Sequence, residues 1–488
     1  MFRWLFRKMM ALFFPAFPGK RTNSSERART NRKEVKEKEI VYPSQRVAYK
    51  YCVGAAVFFA FQVTLATLAA LEFVFPDLPV PLPANLGRSI HVNLSMFWPL
   101  LGIMGGIYYV LPEEIGDDLY SPFLANLQFW LMALTMLGII GTLALGFTTG
   151  REYLEPILPL KLAQGLALFI FTLNVTVTLF KRKFAAWHPT STSLVLGLGL
   201  SLILYLPALF FFKNLVTDEF FKFWTVHIWW ESSLELIVTG LVTTMLILMT
   251  RVDPGLVMKY YYVEAVLVIL LGFFGVGHHY FWIGLQRYWV YIGWIFGVLQ
   301  AVPFFFIVWV SYTATLHKKG LSSNSVAFKF LWAAAIWNLA GAGLFGAVTS
   351  IPQINVYTHG TFLVSSHAHL ALFGTYGSLA MAVIYFVLVQ WEKLEMLSIR
   401  AGEVAFWLLN TGLTIMALSL GLAGMLQAYL WRFVGLDFAV VQGLLKPYLA
   451  VRSVGAALFA IGAIIPAWDI LTNLIFPLPP RAADATRN

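Results

Sequence analysis

Charge is scarce in this sequence: Asp, Glu, Lys and Arg make up 12% of its 488 residues, against 59% that are hydrophobic. A soluble chain of that balance has too little polar surface to stay out of aggregates. Cysteine is scarcer still. Cys52 stands alone, which excludes a disulfide, a CxxC motif or a cysteine-ligated metal within the chain. No stretch is polar enough to fold as a separate soluble domain, and no short-period repeat is present.

What the sequence has is apolar runs, each long enough to cross a hydrocarbon core of roughly 30 Å as a helix. Twelve are expected, at about 49–76, 89–112, 122–147, 157–183, 190–213, 222–250, 256–283, 286–316, 325–348, 359–391, 403–431 and 447–475. The expected fold class is therefore an all-α, polytopic bundle of about twelve transmembrane helices in a lipid bilayer. Residues 46–476 form the membrane domain, preceded by a basic segment, 1–45, and followed by a tail, 477–488.

The net charge is +10, and 13 of the 34 Lys and Arg residues fall in the first 50 positions. Beside twelve spans, the positive-inside rule explains this better than a nucleic-acid tail does. Both termini are then cytoplasmic, as are Lys181-Arg182-Lys183 and His317-Lys318-Lys319. Residues 1–20 alternate Phe, Trp, Leu and Met with Arg3, Arg7 and Lys8, the pattern of an interfacial amphipathic segment rather than a cleaved signal.

Six of the nine histidines fall well inside expected spans, His91, His227, His278, His279, His367 and His369, while His359 stands at the outer end of the tenth. An ionisable group at membrane depth is costly, so function is the default reading, although any one alone could be hydrogen-bonded between helices. His367 and His369, two apart on a helix, point roughly 200° away from each other. One span can thus ligate two metals, and neutral imidazole is a common haem ligand. His91 could supply the second axial ligand of one haem, making it six-coordinate and suited to electron transfer. His227, Glu231 and Glu235 recur at i, i+4 and i+8 on the sixth span, along one helical face. With adjacent His278 and His279 they offer nitrogen and oxygen ligands that suit iron and would be unusual for copper.

Three stretches carry a specific likeness: His278-His279-Tyr280-Phe281-Trp282-Ile283-Gly284; Tyr357-Thr358-His359-Gly360-Thr361 leading to His367-Ala368-His369; and Gly150-Arg151-Glu152-Tyr153-Leu154-Glu155. With Ser89-Ile90-His91-Val92-Asn93-Leu94, they resemble the large subunit of bacterial respiratory nitric oxide reductases, of the haem-copper oxidase superfamily. The resemblance covers roughly residues 42–390. It implies that His91 and His369 hold a low-spin haem b, that His367 holds a high-spin haem b, and that His227, His278, His279 and Glu231 bind a non-haem iron. It also makes Glu235 a second catalytic carboxylate beside Glu231, Glu152 a calcium ligand on the outer side, and Glu155 part of an outer proton route. His359 and Arg88 are candidate propionate contacts; His188 and His317 read as loop or interfacial residues. The implied substrate is nitric oxide, in a bacterial cytoplasmic membrane. A quinol-oxidising form would carry an extra amino-terminal span and a fused soluble domain, so the expected partner is a membrane-anchored cytochrome c.

Gln300 departs from the family, which usually has a glutamate there. An amide hydrogen-bonds but carries no proton or anionic charge near physiological pH. Glu264, within the seventh span and roughly 21 Å from His278 towards the cytoplasm, is an alternative proton carrier. The expected route nevertheless runs from outside past Glu152 and Glu155. Three rivals stand beside this reading. An oxygen reductase would need a redox-active tyrosine where the chain has Glu231 or Gly272. A nitric oxide dismutase lacks much of the site's carboxylate set. A transporter or channel would bind no haem and show no Soret absorption.

Overall fold

The structure is a computed structural model that describes residues 42–80, 82–182, 189–250, 253–299, 325–389 and 397–475. The amphipathic segment 1–20, His188, His317 and Gln300 lie outside the described residues, as does most of the eighth expected span. Among the described residues the chain is all helix and turn, without a strand.

Eleven helices are long and apolar enough to cross a membrane. They are α1 (Pro43–Leu71), α2 (Ala84–Ile115), α3 (Pro122–Ala144), α4 (Leu158–Leu179), α5 (Thr190–Leu209), α6 (Leu215–Met249) and α7 (Val257–His279). After the shorter apolar helix α8 (Tyr288–Leu299) come α9 (Ser325–Ser350), α10 (Phe362–Leu388), α11 (Ile399–Phe433) and α12 (Phe438–Ile475). Eleven of the twelve expected spans thus have a helix of membrane-crossing length among the described residues, α8 covers the first part of the eighth, and the protein is a multi-pass membrane protein. Side-chain caps mark several starts, with Ser121, Asn214, Asp253, Thr361 and Ser398 accepting from backbone N–H groups of the first turn.

Four helices begin five or more residues before expectation: α1 at Pro43 rather than 49, α2 at Ala84 rather than 89, α6 at Leu215 rather than 222, and α12 at Phe438 rather than 447. In α12 the helix runs through Pro447, which reads in sequence as a natural first-turn residue. In a membrane, neighbouring helices can satisfy the backbone that such a proline frees.

Sequential helices pack as neighbours, and α12 returns to lie against α1. α11 and α12 meet through Gly412 and Gly455, where an added Cβ would fall 2.6 Å and 2.9 Å from the opposite carbonyl oxygen. Without a hydrophobic drive between helices in lipid, such close backbone approach is what holds them. Burial separates the helices into two classes. The apolar stretches of α2, α6 and α10 are 83%, 78% and 89% buried, whereas those of α5 and α9 are 33% and 28% buried. The three enclosed helices carry His91, His227 and the pair His367 and His369. Outward positions such as Leu134, Trp407 and Trp468 are exposed and apolar, as lipid contact requires.

Candidate metal centre

α6 changes its winding at the residues of interest. Trp224–Leu234 is a π-helix, and regular α-helix resumes at Glu235. The uniform α-helical face inferred for His227, Glu231 and Glu235 is therefore corrected: the first two sit on a wider turn and the third opens the next segment. π-Turns of this kind recur at functional sites. This one is pinned to α5, with the Thr225 hydroxyl donating to Leu204 O (3.1 Å) and the Trp229 indole to Ser201 O (3.0 Å).

Against this turn stands the end of α7, where Val276–His279 tightens into a 3₁₀ turn. The tight turn lets adjacent His278 and His279 face one place, their ring centres 4.3 Å apart and 5.0 Å and 4.7 Å from that of His227. One ligand atom from each of the three lies within 4.8 Å of the others. Phe223 stacks on His279 at 4.5 Å. Two glycines allow α8 to press on the turn: a Cβ at Gly277 would sit 2.1 Å from Trp289 O, and one at Gly293 2.1 Å from His278 N.

These three imidazoles fit a metal ion. His227 Nε2 and His278 Nδ1 are buried with no hydrogen-bond partner, a condition that costs about 1–3 kcal/mol per group unless a ligand relieves it. Glu231 Oε1 lies 3.0 Å from His227 Nδ1, and its side chain is one-third exposed. Glu231 is thus the carboxylate that faces the trio, bonded to one of its members. Glu235 is buried one turn further along.

His91 and His369 meet across the interface of α2 and α10, with ring centres 6.1 Å apart and planes 26° from parallel. A metal bonded at about 2 Å to one nitrogen of each ring separates ring centres by roughly 6 Å, so the pair fits the two axial ligands of a haem. Each candidate haem ligand also has its Nδ1 held by a neighbour. His369 Nδ1 bonds Ser365 O (2.7 Å), His367 Nδ1 bonds Gly341 O (3.0 Å), and His91 Nδ1 meets the Gln62 amide at 2.8 Å. An Nδ1–H donated to a carbonyl fixes the tautomer that leaves Nε2 free for a metal. At Gln62 the amide oxygen is buried without a partner, while the amide nitrogen faces the ring. Turning the amide end for end lets the oxygen accept from His91 Nδ1–H. Sequence reasoning missed Gln62, whose one signal is a lone amide inside an apolar span.

The Gly150-Arg151-Glu152-Tyr153-Leu154-Glu155 motif forms the connection between α3 and α4, with positive φ at Gly150 (72°) and Tyr153 (66°). Arg151 is buried and pairs with Asp218 at 3.0 Å. It also donates to Pro207 O, Phe210 O and Asp218 O, tying together the ends of α5 and α6. Glu152 pairs instead with Arg88, both half-exposed. Glu155 is buried and accepts from Asn93 Nδ2 at 3.1 Å; burial pushes its carboxyl above the usual carboxylate range. His359 lies on the same side, its ring 6.5 Å from that of His279 and stacked on Trp282. Burial and the nearby Arg432 guanidinium depress its pKa. Glu264 is buried in α7, away from the histidines but within electrostatic reach of Glu235.

Comparison with known proteins gives a consistent picture. The family model for cytochrome c and quinol oxidase polypeptide I matches residues 46–458. A nitric oxide reductase subunit of Stutzerimonas stutzeri is 31% identical, over 87% of this chain and 94% of that protein. A cytochrome c oxidase subunit 1 homolog of Agrobacterium tumefaciens (strain T37) is 24% identical, over 89% of this chain and 85% of its own length. The Cbb3-type cytochrome c oxidase subunit CcoN1 of Stutzerimonas stutzeri is 22% identical, over 87% and 94%. Among solved structures, a heme-copper terminal oxidase dimer superposes with a TM-score of 0.72 at 13% identity, covering 91% of this chain and 87% of that one.

Proposed function

We propose that this chain, which belongs to the haem-copper oxidase family of cytochrome c and quinol oxidase polypeptide I, is the catalytic subunit of a nitric oxide reductase. Family membership makes it an oxidoreductase with haem and a second metal centre. In the proposed assignment His91 and His369 hold a low-spin haem b, His367 holds a high-spin haem b, and His227, His278 and His279 hold a non-haem iron with Glu231. When bound, these groups supply two adjacent irons at which two nitric oxide molecules, two electrons and two protons give nitrous oxide and water.

The chain's own residues set the conditions for that reaction. The Nδ1 contacts of His91, His367 and His369 orient the rings. Glu231 keeps a carboxylate oxygen beside His227, where it would favour the oxidised form of a metal held by the trio. Glu235, one turn deeper, is placed to pass protons to the centre. Calcium at Glu152 belongs to the same proposal, on condition that the ion takes the place of the Arg88 guanidinium now paired with that carboxylate. Electrons would come from a membrane-anchored cytochrome c, on the side where Glu152 lies. That side is external if both termini are cytoplasmic.

The observation that carries this reading over an oxygen reductase is the packing of Gly272 beside Glu231. An oxygen reductase would need a phenol at one of these two positions. Position 231 is a carboxylate. At position 272 even a Cβ would fall 2.0 Å from Ser232 Oγ and 2.8 Å from Glu231 O, which leaves no room for a tyrosine.

Glu231→Ala tests the assignment. The purified wild-type complex should contain two haem irons and one non-haem iron in this chain, without copper. The variant should lose the non-haem iron or nitric oxide turnover while both haem bands persist. Full iron occupancy with normal turnover would remove Glu231 from the site.

A further inference from the structure

Glu264 is the acid that the proposed centre leaves unused. It is 2% exposed in the inner part of α7, and its Oε2 has no hydrogen-bond partner. A carboxyl at that depth is retained against a cost of several kcal/mol, so a role is expected of it. Its surroundings are not apolar on every side. Glu235 of α6 faces it closely enough for the two carboxyls to interact electrostatically.

The geometry of the two antiparallel helices agrees with that pairing. Tyr261, one turn before Glu264 on the same face of α7, lies against Gly240 of α6, where an added Cβ would be 3.7 Å from the phenol oxygen. From that level Glu264 rises about 4.5 Å along α7 and Glu235 about 7.5 Å along α6, at 1.5 Å per residue. The two carboxyls are therefore nearly level. Glu235 is in turn one turn from Glu231 and the histidine trio.

Polar contacts also continue from Tyr261 in the other direction. Its phenol hydrogen-bonds the side chain of Ser193, near the start of α5, and lies within electrostatic reach of Glu114. Glu114 stands at the last turn of α2 and accepts from the hydroxyls of Thr190 (3.1 Å) and Ser191. It is partly exposed at the end of the bundle opposite Glu152. Two further hydroxyls on α6, Thr239 and Thr243, are buried without partners at the level of Tyr261. Unmatched hydroxyls of this kind are where bridging water is accommodated.

We propose that Glu114, Ser191, Ser193, Tyr261, Glu264 and Glu235 form a proton-entry file from the Glu114 end of the bundle to the metal centre. In the topology with cytoplasmic termini, that end is the cytoplasmic face. Protons reach Glu264 through the Tyr261 hydroxyl and ordered water, and pass from Glu264 to Glu235. The file supplies protons only; both electrons arrive separately, so the balance of two electrons and two protons per nitrous oxide is unchanged. It departs from the route past Glu152 and Glu155, whose carboxyls are engaged with Arg88 and Asn93. The inference rests on the nitric oxide reductase reading for its turnover test, but not for its proton test.

The test uses the full complex in vesicles of known orientation, with a pH-sensitive dye on either side. Chemical reduction without nitric oxide reports proton uptake by any haem-iron centre in this fold; nitric oxide then reports turnover. Glu264→Gln should slow uptake from the Glu114 face and turnover by at least about tenfold, with haem and non-haem iron contents unchanged. Glu264→Asp should retain most of both. Tyr261→Phe is the second variant and should slow uptake without altering metal content. Wild-type uptake rates in Glu264→Gln, or uptake confined to the Glu152 face in the wild type, would overturn the file. Wild-type protein that takes up protons on reduction but does not turn over nitric oxide would leave the file standing and reject the reductase reading.

Discussion

Gly272→Ala is the smallest change that should disturb the proposed metal centre without replacing a ligand. Its Cβ would meet Ser232 Oγ at 2.0 Å and Glu231 O at 2.8 Å. The hydroxyl can rotate away; the backbone carbonyl cannot. A carbon next to a carbonyl oxygen settles at about 3.3 Å. α7 must therefore retreat from α6 by about half an ångström at the level where one helix carries His227 and the other leads to His278 and His279. That displacement equals the tolerance within which a site keeps its geometry, about 0.5 Å. Overpacking of this size costs about 1–3 kcal/mol in stability, and a loss of about 10–100-fold in metal affinity is expected. Iron titration with the haem spectrum as an internal control would read it, beside Ser232→Ala and the double variant. The double variant should remain defective, because the Glu231 carbonyl still blocks the methyl group. Full rescue by Ser232→Ala would refute the backbone argument, and unchanged iron affinity in Gly272→Ala would refute the packing itself.

The proposed haem ligands and Glu155 give two further predictions. His367→Ala should abolish the high-spin haem signal, whereas His91→Ala or His369→Ala should perturb the six-coordinate one; optical and magnetic spectra with both haems intact in all three variants would reject the assignment. The raised pKa of Glu155 means that the folded protein holds this proton more tightly than the unfolded chain does. Its contribution to stability is therefore full below the unfolded pKa and is lost as pH rises through the folded one. Asn93→Ala removes a donor to the ionised form and should push the titration higher still, read as thermal stability against pH with Glu155→Gln as the blank; a lower titration point would reject it.

The helices were legible because a bilayer demands apolar runs of fixed length, and eleven of the twelve expected runs are helices of that length among the described residues. The histidines were legible because imidazole is rare at membrane depth. What the sequence could not show is winding. The π-turn at Trp224–Leu234 has no local signature in residues that suit an α-helix equally well, and it arises from contacts with α5 such as Trp229 to Ser201 O. Partners distant in sequence were equally hidden. Arg151 appears in the motif beside Glu152, yet its work is to tie Pro207, Phe210 and Asp218 together, while the exposed pairing falls to its neighbour. Glu264 was visible as a buried acid; its facing partner Glu235, 29 positions away, was not.

His367 shows how such long-range terms orient a candidate metal ligand. Its ring is aimed by α9, a helix with no histidine of its own. Asn338–Phe345 of that helix is again π-wound, and its Gly341 carbonyl accepts from His367 Nδ1. The carbonyl reaches the ring because α9 and α10 nearly touch: a Cβ at Gly341 would lie 2.4 Å from Leu370 Cβ. One turn on, a Cβ at Gly346 would lie 2.9 Å from His367 Cε1, so that glycine leaves space for the ring itself. Either alanine substitution would shift the imidazole while leaving every candidate ligand residue unsubstituted. The orientation of the His367 ring is thus set by two residues whose contribution is the absence of a side chain, and the sequence does not mark them as metal-binding types.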